Sequence, residues 1–108
     1  MNSTPFGGGA RTEVLVALQL LDESYSRELA RLLRRSLNGV QMALRGLERE
    51  GLIAARPAGR TRVYRLNPRY FARTELAQYL KRLAEPERDL QTRITALRRR
   101  PRRSGKPL

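Results

Sequence analysis

The chain has 108 residues, room for one modest core and no separate catalytic domain. It contains no Cys and no His, which excludes a disulfide framework, thiolate or imidazole metal sites, and Ser-His or Cys-His catalysis. The formal net charge of +13 calls for an anionic partner, nucleic acid first and an anionic membrane surface second.

The charge is segregated. Residues 31–73 carry eleven arginines against Glu48 and Glu50, a net of +9, and residues 98–108 carry a further +6. The first thirty residues are slightly acidic, and residues 74–97 balance four charges of each sign. A solvated surface of mixed charges has no reason to divide this way. Aromatic residues make up 6% of the chain and Trp is absent, so a core must be built from Leu, Val, Ile and Ala. The longest strongly apolar run, residues 14–18, stops at Gln19, far short of the roughly 20 residues a membrane span requires. No leader pattern is visible, and a soluble cytoplasmic protein with no membrane partner is expected.

Residues 1–9 are polar and Gly-rich and read as a flexible lead-in. A first helix is expected over 11–21, with Val14, Leu15, Leu18 and Leu21 at helical spacing. Val16, Ala17 and Leu20 widen its stripe to nearly the whole circumference, and a helix apolar all round is buried all round. In so small a domain this suggests cover from a second chain. Ser24 and Ser26 offer caps for a second helix over 26–33, with Leu29, Ala30, Leu32 and Leu33 inward. Arg34-Arg35 make a turn. Ser36 is a good N-cap for a third helix over 37–50, buried through Leu37, Val40, Leu44 and Leu47 and closed by Gly51. Two β-prone pieces follow, 52–55 and 62–66, joined by a Pro57-Ala58-Gly59 turn and ended by Asn67-Pro68. A helix over 71–84 would place Phe71, Leu76, Leu80 and Leu83 on one face. Pro86 can open another, continued by Leu90, Ile94 and Leu97 to about residue 99. Residues 100–108 read as a disordered basic tail.

Helix, helix, turn, helix, hairpin, helix is the order a winged DNA-binding domain needs: one helix enters a major groove about 12 Å wide, its predecessor braces it, and a basic hairpin reaches the flanking backbone. The residues carry a family resemblance. Glu28-Leu29-Ala30, the ten-residue step from Ala30 to Val40, and Leu44-x-x-Leu47-x-x-x-Gly51-Leu52-Ile53 resemble the winged helix-turn-helix of ArsR-like bacterial regulators. The run from Arg60-Thr61-Arg62-Val63-Tyr64 through Arg65-Leu66-Asn67-Pro68 resembles that family's wing and exit. The resemblance covers residues 10–68; MarR-like regulators share much of it, and the exit is also similar to winged helices found beside nucleotidyltransferases. Arg34-Arg35 stand where the turn often holds Gly, Gly39 and Gly46 interrupt the third helix, and the Cys and His of metal-sensing members are absent. The expected fold is therefore mainly α with a small β-hairpin: a winged helix-turn-helix over 10–68 with C-terminal helices over 69–99.

On the third helix, Asn38, Gly39, Gln41, Met42 and Arg45 fall on the outer face and are the candidate base readers. Asn and Gln amides can pair with adenine, Arg can pair with guanine, and Gly39 would let the backbone come close. The alternative is an ordinary solvated face. Arg34, Arg35 and Ser36 sit where the duplex backbone would pass. Arg56, Arg60 and Arg62 decorate the hairpin, with Arg60 at its tip suited to the minor groove; edge protection by charge is the competing reading. Tyr64 reads as wing-to-core packing, Gly46 as close helix packing, and Glu48 and Glu50 as solvated or paired with arginine. Arg98 to Arg103 reads as a nonspecific electrostatic tail.

ArsR-like proteins use their first and last helices to dimerise, which implies an interface through Val14, Leu18, Leu80, Leu83, Leu90, Ile94 and Leu97. The function expected is a sequence-specific double-stranded DNA-binding regulator, a homodimeric repressor without metal or cofactor and without catalytic residues. RNA binding and a protein-interaction module partnering a nucleotidyltransferase remain open beside it. An enzyme is disfavoured by the missing His, Cys and paired carboxylates.

Overall fold

In the computed structural model, which describes residues 4–99, the elements run α1 (Gly9–Leu21), β1 (Glu23–Tyr25), α2 (Ser26–Leu33), α3 (Leu37–Arg49), β2 (Ile53–Ala58), β3 (Thr61–Leu66), α4 (Arg73–Ala84) and α5 (Arg88–Arg99). The strands form one antiparallel sheet in the order β1-β3-β2. Five helices with a hairpin and a short third strand match the expected class. The expected tail, residues 100–108, lies outside the described residues.

Local chemistry sets the boundaries. The Ser36 Oγ accepts from the Gly39 backbone N–H at 3.0 Å and starts α3. At the other end Gly51 takes φ +81°, with Leu52 N–H bonding to the Leu47 carbonyl and Gly51 N–H to that of Glu48, both at 3.0 Å. This closure satisfies the last carbonyls of the helix and folds buried Leu52 back onto buried Leu47. The α2 helix closes in the same pattern, Arg35 N–H to Ala30 O and Arg34 N–H to Arg31 O, but with Arg34 in the left-handed position at φ 56°. A side chain there costs about 1 kcal/mol relative to glycine. The family's frequent glycine in this turn therefore has a conformational reason, and this chain tolerates an arginine instead.

The core joins α1, α3, α4 and the inner face of the sheet around Leu15, Leu18, Leu44, Leu47, Ile53 and Leu80, with Leu29 of α2 beside them. Val14 to Leu18 are buried without exception, so α1 is covered on all sides as its composition requires. The cover comes from its own chain: α3, α4, β3 and α2 all pack on it. This corrects the expectation that Val14 and Leu18 of α1, with Leu80, Leu90 and Ile94, await a second chain. All five are at 5% exposure or less in the single chain and have almost no area left to bury. Leu83 and Leu97 remain half-buried.

Other expectations are corrected too. Residues 4–8 are not a loose lead-in: Thr4 and Gly7 exchange backbone hydrogen bonds, and Thr4 Oγ1 lies 2.9 Å from the buried Thr12 Oγ1. Ser24 and Ser26 do not cap α2. Ser24 lies in β1, buried and donating to Glu28 Oε1 at 2.5 Å, while Tyr25 occupies the cap position without a side-chain bond. The wing strands are longer than expected and turn at Gly59-Arg60, with Ala58 paired to Thr61 and Gly59 at φ +66°. Glycine at the first position of a two-residue loop matches the right-handed twist of a hairpin, whereas Pro57 is accommodated on the edge strand β2. Phe71 lies outside α4 and is 92% exposed, because Tyr70 takes the place against the core. Pro86 sits in the turn after α4, and α5 begins two residues later.

Candidate nucleic-acid interface

The outer face of α3 and the inner face of the wing converge. Gln41 and Arg45 of α3, Arg27 at the start of α2, and Arg60 and Arg62 of the wing line a cleft of about 560 Å³. Spacing explains the helical side of it: Gln41, Arg45 and Glu48 lie one turn apart on a common stripe. Strand alternation explains the wing side. Arg62 and Tyr64 point to the α3 side of the sheet, Tyr64 half-buried against the core and Arg62 with its guanidinium 5.9 Å from the Tyr64 ring centroid. Asn67 holds the wing exit to the end of α3, donating through Nδ2 to the Gly51 carbonyl at 2.9 Å while its backbone N–H bonds Leu52 O at 3.0 Å.

The candidate base readers are distributed over this helix as follows. Asn38, Met42 and Arg45 are exposed, and Gln41 is half-buried at the cleft. Gly39 is also half-buried, and its missing side chain serves the cap: a Cβ there would stand 3.0 Å from the Ser36 Oγ. Gly46 is buried, and a Cβ at that position would meet the Arg11 guanidinium at 2.6 Å. Arg11 of α1, its Nε donating to Phe6 O at 2.6 Å on its own side, crosses this gap to pair with Glu50, so the glycine makes room for an inter-helix arginine.

The candidate phosphate contacts divide into two groups. Arg34 and Arg60 have no ion-pair partner among the described residues, nor has the candidate base reader Arg45. Arg35, Arg56 and Arg62 are each held by a carboxylate from another element. Arg35 grips Glu13 of α1 with two hydrogen bonds at 2.8 and 3.1 Å, Arg56 meets Glu23 of β1 at 2.7 Å, and Arg62 meets Glu48 of α3 at 2.9 Å. The Glu13 carboxylate holds the Arg35 guanidinium more firmly in its charged form, and Tyr64 first, then Glu48, does the same for Arg62. Arg56 pairs across the sheet with Val63, on the face opposite Arg62, and lies outside the cleft. Arg34, Arg35 and Asn38 lie outside it as well, towards the start of α3. Sequence reasoning passed over Arg27 and Thr61, which also line the cleft. Arg27 could have been found from its place one residue into α2, beside the third helix; nothing in the sequence signals Thr61.

No protein-family model matches the sequence, and no curated protein sequence does. Solved structures are similar. HlyU from Vibrio cholerae N16961, in its reduced form, gives a TM-score of 0.60 at 28% identity over 73% of this chain and 77% of its own. The adhesin competence repressor AdcR from Streptococcus pyogenes gives 0.61 at 16% identity over 80% of this chain and 63% of its own. A variant of ZitR from Lactococcus lactis gives 0.63 at 19% identity over 90% and 64%. These are ArsR- and MarR-type transcriptional regulators. The chain has their winged-helix fold. In that fold α2 and α3 are the helix-turn-helix, and β2–β3 is the wing. Among the described residues no helix of this winged helix is long and apolar enough to cross a membrane.

Proposed function

We propose that this winged helix is a sequence-specific double-stranded DNA-binding regulator of transcription. The observation that carries the reading is the cleft between α3 and the wing, where half-buried Gln41 and exposed Arg45 share one helical stripe flanked by Arg27, Arg60 and Arg62. A duplex laid against it receives α3 in its major groove, with Asn38, Gln41, Met42 and Arg45 at the base edges. Arg34, Arg35 and Ser36 then meet the backbone at the start of α3, Arg62 meets it at the wing, and Arg60 at the wing tip reaches the minor groove, while Arg56, expected at the backbone, sits on the opposite face of the sheet with Glu23 and is left out of this contact. Phosphate contacts give affinity and register, and the α3 side chains give preference among sequences. RNA duplexes hide their base edges in a groove too narrow for a helix, which favours DNA as the partner of an exposed α3.

One chain presents one such helix, so a twofold pair of chains would read two half-sites about 34 Å apart. The half-buried Leu83 and Leu97 of α4 and α5 are the members of the expected interface that still have apolar area to contribute. Repression is the sign of regulation proposed, because a protein seated on a promoter excludes polymerase; AdcR, similar in fold, is named a repressor.

The test is selection from a random duplex pool at two salt concentrations, with light scattering on the free protein. An enriched palindrome, a steep salt slope and a dimer mass support the whole reading. A monomer sinks the twofold arrangement alone, and absence of duplex binding sinks the function.

A further inference from the structure

We propose that Glu48 is a specificity-determining residue of the α3–wing cleft, keeping Arg62 in reserve and penalising duplexes that offer it only phosphates. The inference rests on the duplex-binding reading above and assigns one acidic residue a role within it. Glu48 is the one carboxylate among the described residues lining a cleft that also holds Arg27, Arg45, Arg60 and Arg62. It lies on the same stripe of α3 as Gln41 and Arg45, so a duplex placed against those two also faces Glu48.

Its bond to Arg62 is made in the open. The two side chains are 37% and 57% exposed, and the 2.9 Å contact is an ion pair of the kind that contributes little to stability. A phosphate oxygen can therefore take the guanidinium from it. Arg62 stays charged through the exchange, as an arginine does at any working pH. What changes is the state of Glu48. Once Arg62 has turned to the backbone, an anionic carboxylate is left facing an anionic duplex. A hydrogen-bond donor on a base edge can satisfy it, and in the major groove the cytosine N4 amino group is the donor suited to a carboxylate. A duplex that places no such group opposite Glu48 pays the repulsion without compensation. Attraction to Arg45 and Gln41 selects one set of sequences; repulsion from Glu48 rejects the others, which a purely basic cleft would bind for charge alone.

The experiment compares wild type, Glu48→Gln, Arg62→Gln and the double variant for binding to the selected duplex and to an unselected one across a salt series. Thermal unfolding of each variant checks that the fold is kept. Glu48→Gln is expected to raise affinity for unselected duplex roughly three- to tenfold and to lower the selected-to-unselected ratio by a similar factor. On the unselected duplex, where wild-type Arg62 stays with Glu48, it should also steepen the log–log salt slope by about 0.9, one additional phosphate neutralised, and on the selected duplex leave the slope unchanged. In the Arg62→Gln background the same substitution should leave the slope unchanged, because the cation it would release is gone. A slope and ratio unchanged by Glu48→Gln, with a wild type that does bind duplex, overturn the role of Glu48 alone. A wild type that binds no duplex overturns the duplex-binding function, and this inference with it.

Discussion

The helices α1 and α3 are each thirteen residues long and cross in contact, yet the protein uses them in opposite ways. In α1 every residue from Val14 to Leu18 is buried, and the cover is supplied by α2, α3, α4 and β3. In α3 the buried set is Val40, Ala43, Leu44, Gly46 and Leu47, one side only, while Asn38, Met42 and Arg45 face out. What separates them is the width of the apolar stripe, which decides whether a helix belongs to the core or is presented by it. Substitutions in α1 should therefore cost stability first, whereas substitutions on the outer face of α3 should cost recognition and leave stability alone.

The largest effect expected is from Leu15→Ala in α1. Truncating a fully buried leucine should destabilise the chain by about 2–5 kcal/mol in a urea titration, with DNA affinity falling only as the folded fraction falls. A loss below about 1 kcal/mol would remove α1 from the core. Arg45→Ala should do the reverse. Its unfolding midpoint should stay near wild type, and competition between the selected duplex and one mutated at a single position should show discrimination reduced about 10- to 100-fold there. Equal losses on every duplex would reassign Arg45 to the phosphates. Ser36→Ala touches both sides of the comparison, since the cap starts the presented helix. A stability loss of about 1 kcal/mol and a smaller affinity loss are expected.

The smallest effect has the opposite sign. Arg34→Gly relieves a left-handed side chain and should stabilise by up to about 1 kcal/mol. The same change removes a cation beside the start of α3 and should lower affinity for all duplexes alike, the salt slope falling by about 0.9. Stability and binding moving together in this variant would mean that Arg34 makes no backbone contact with DNA.

Periodicity made the helices legible. The stripe of α1, the cap at Ser36 and the closure at Gly51 are local signals, each readable within a few residues, and the structure places all three where the pattern does. β1 escaped because three residues, Glu23–Tyr25, are too few for alternation to register, and because its partner β3 lies some forty residues on. Phe71 was misassigned because hydrophobicity alone cannot tell it from Tyr70, its neighbour in sequence; only the path of the chain into α4 decides which ring meets the core. The stripe on α1 announced burial without naming the cover, so a second chain was inferred where α4 and β3 do the work. For the candidate site, the arginines were visible but their carboxylate partners were not. Glu13, Glu23 and Glu48 reach Arg35, Arg56 and Arg62 from other elements, and such pairing depends on the assembled fold.

The bonds from Asn67 to Gly51 and Leu52 tie the foot of the wing to the end of α3. With that joint fastened, the gap between helix and wing is set before any duplex arrives, as the jaws of a locked caliper are. If the proposed duplex binding holds, a partner of the wrong width would press on a braced joint, and part of the strain of fitting would fall on the nucleic acid. Sequence steps that bend or narrow easily would then be favoured even where no side chain reaches a base.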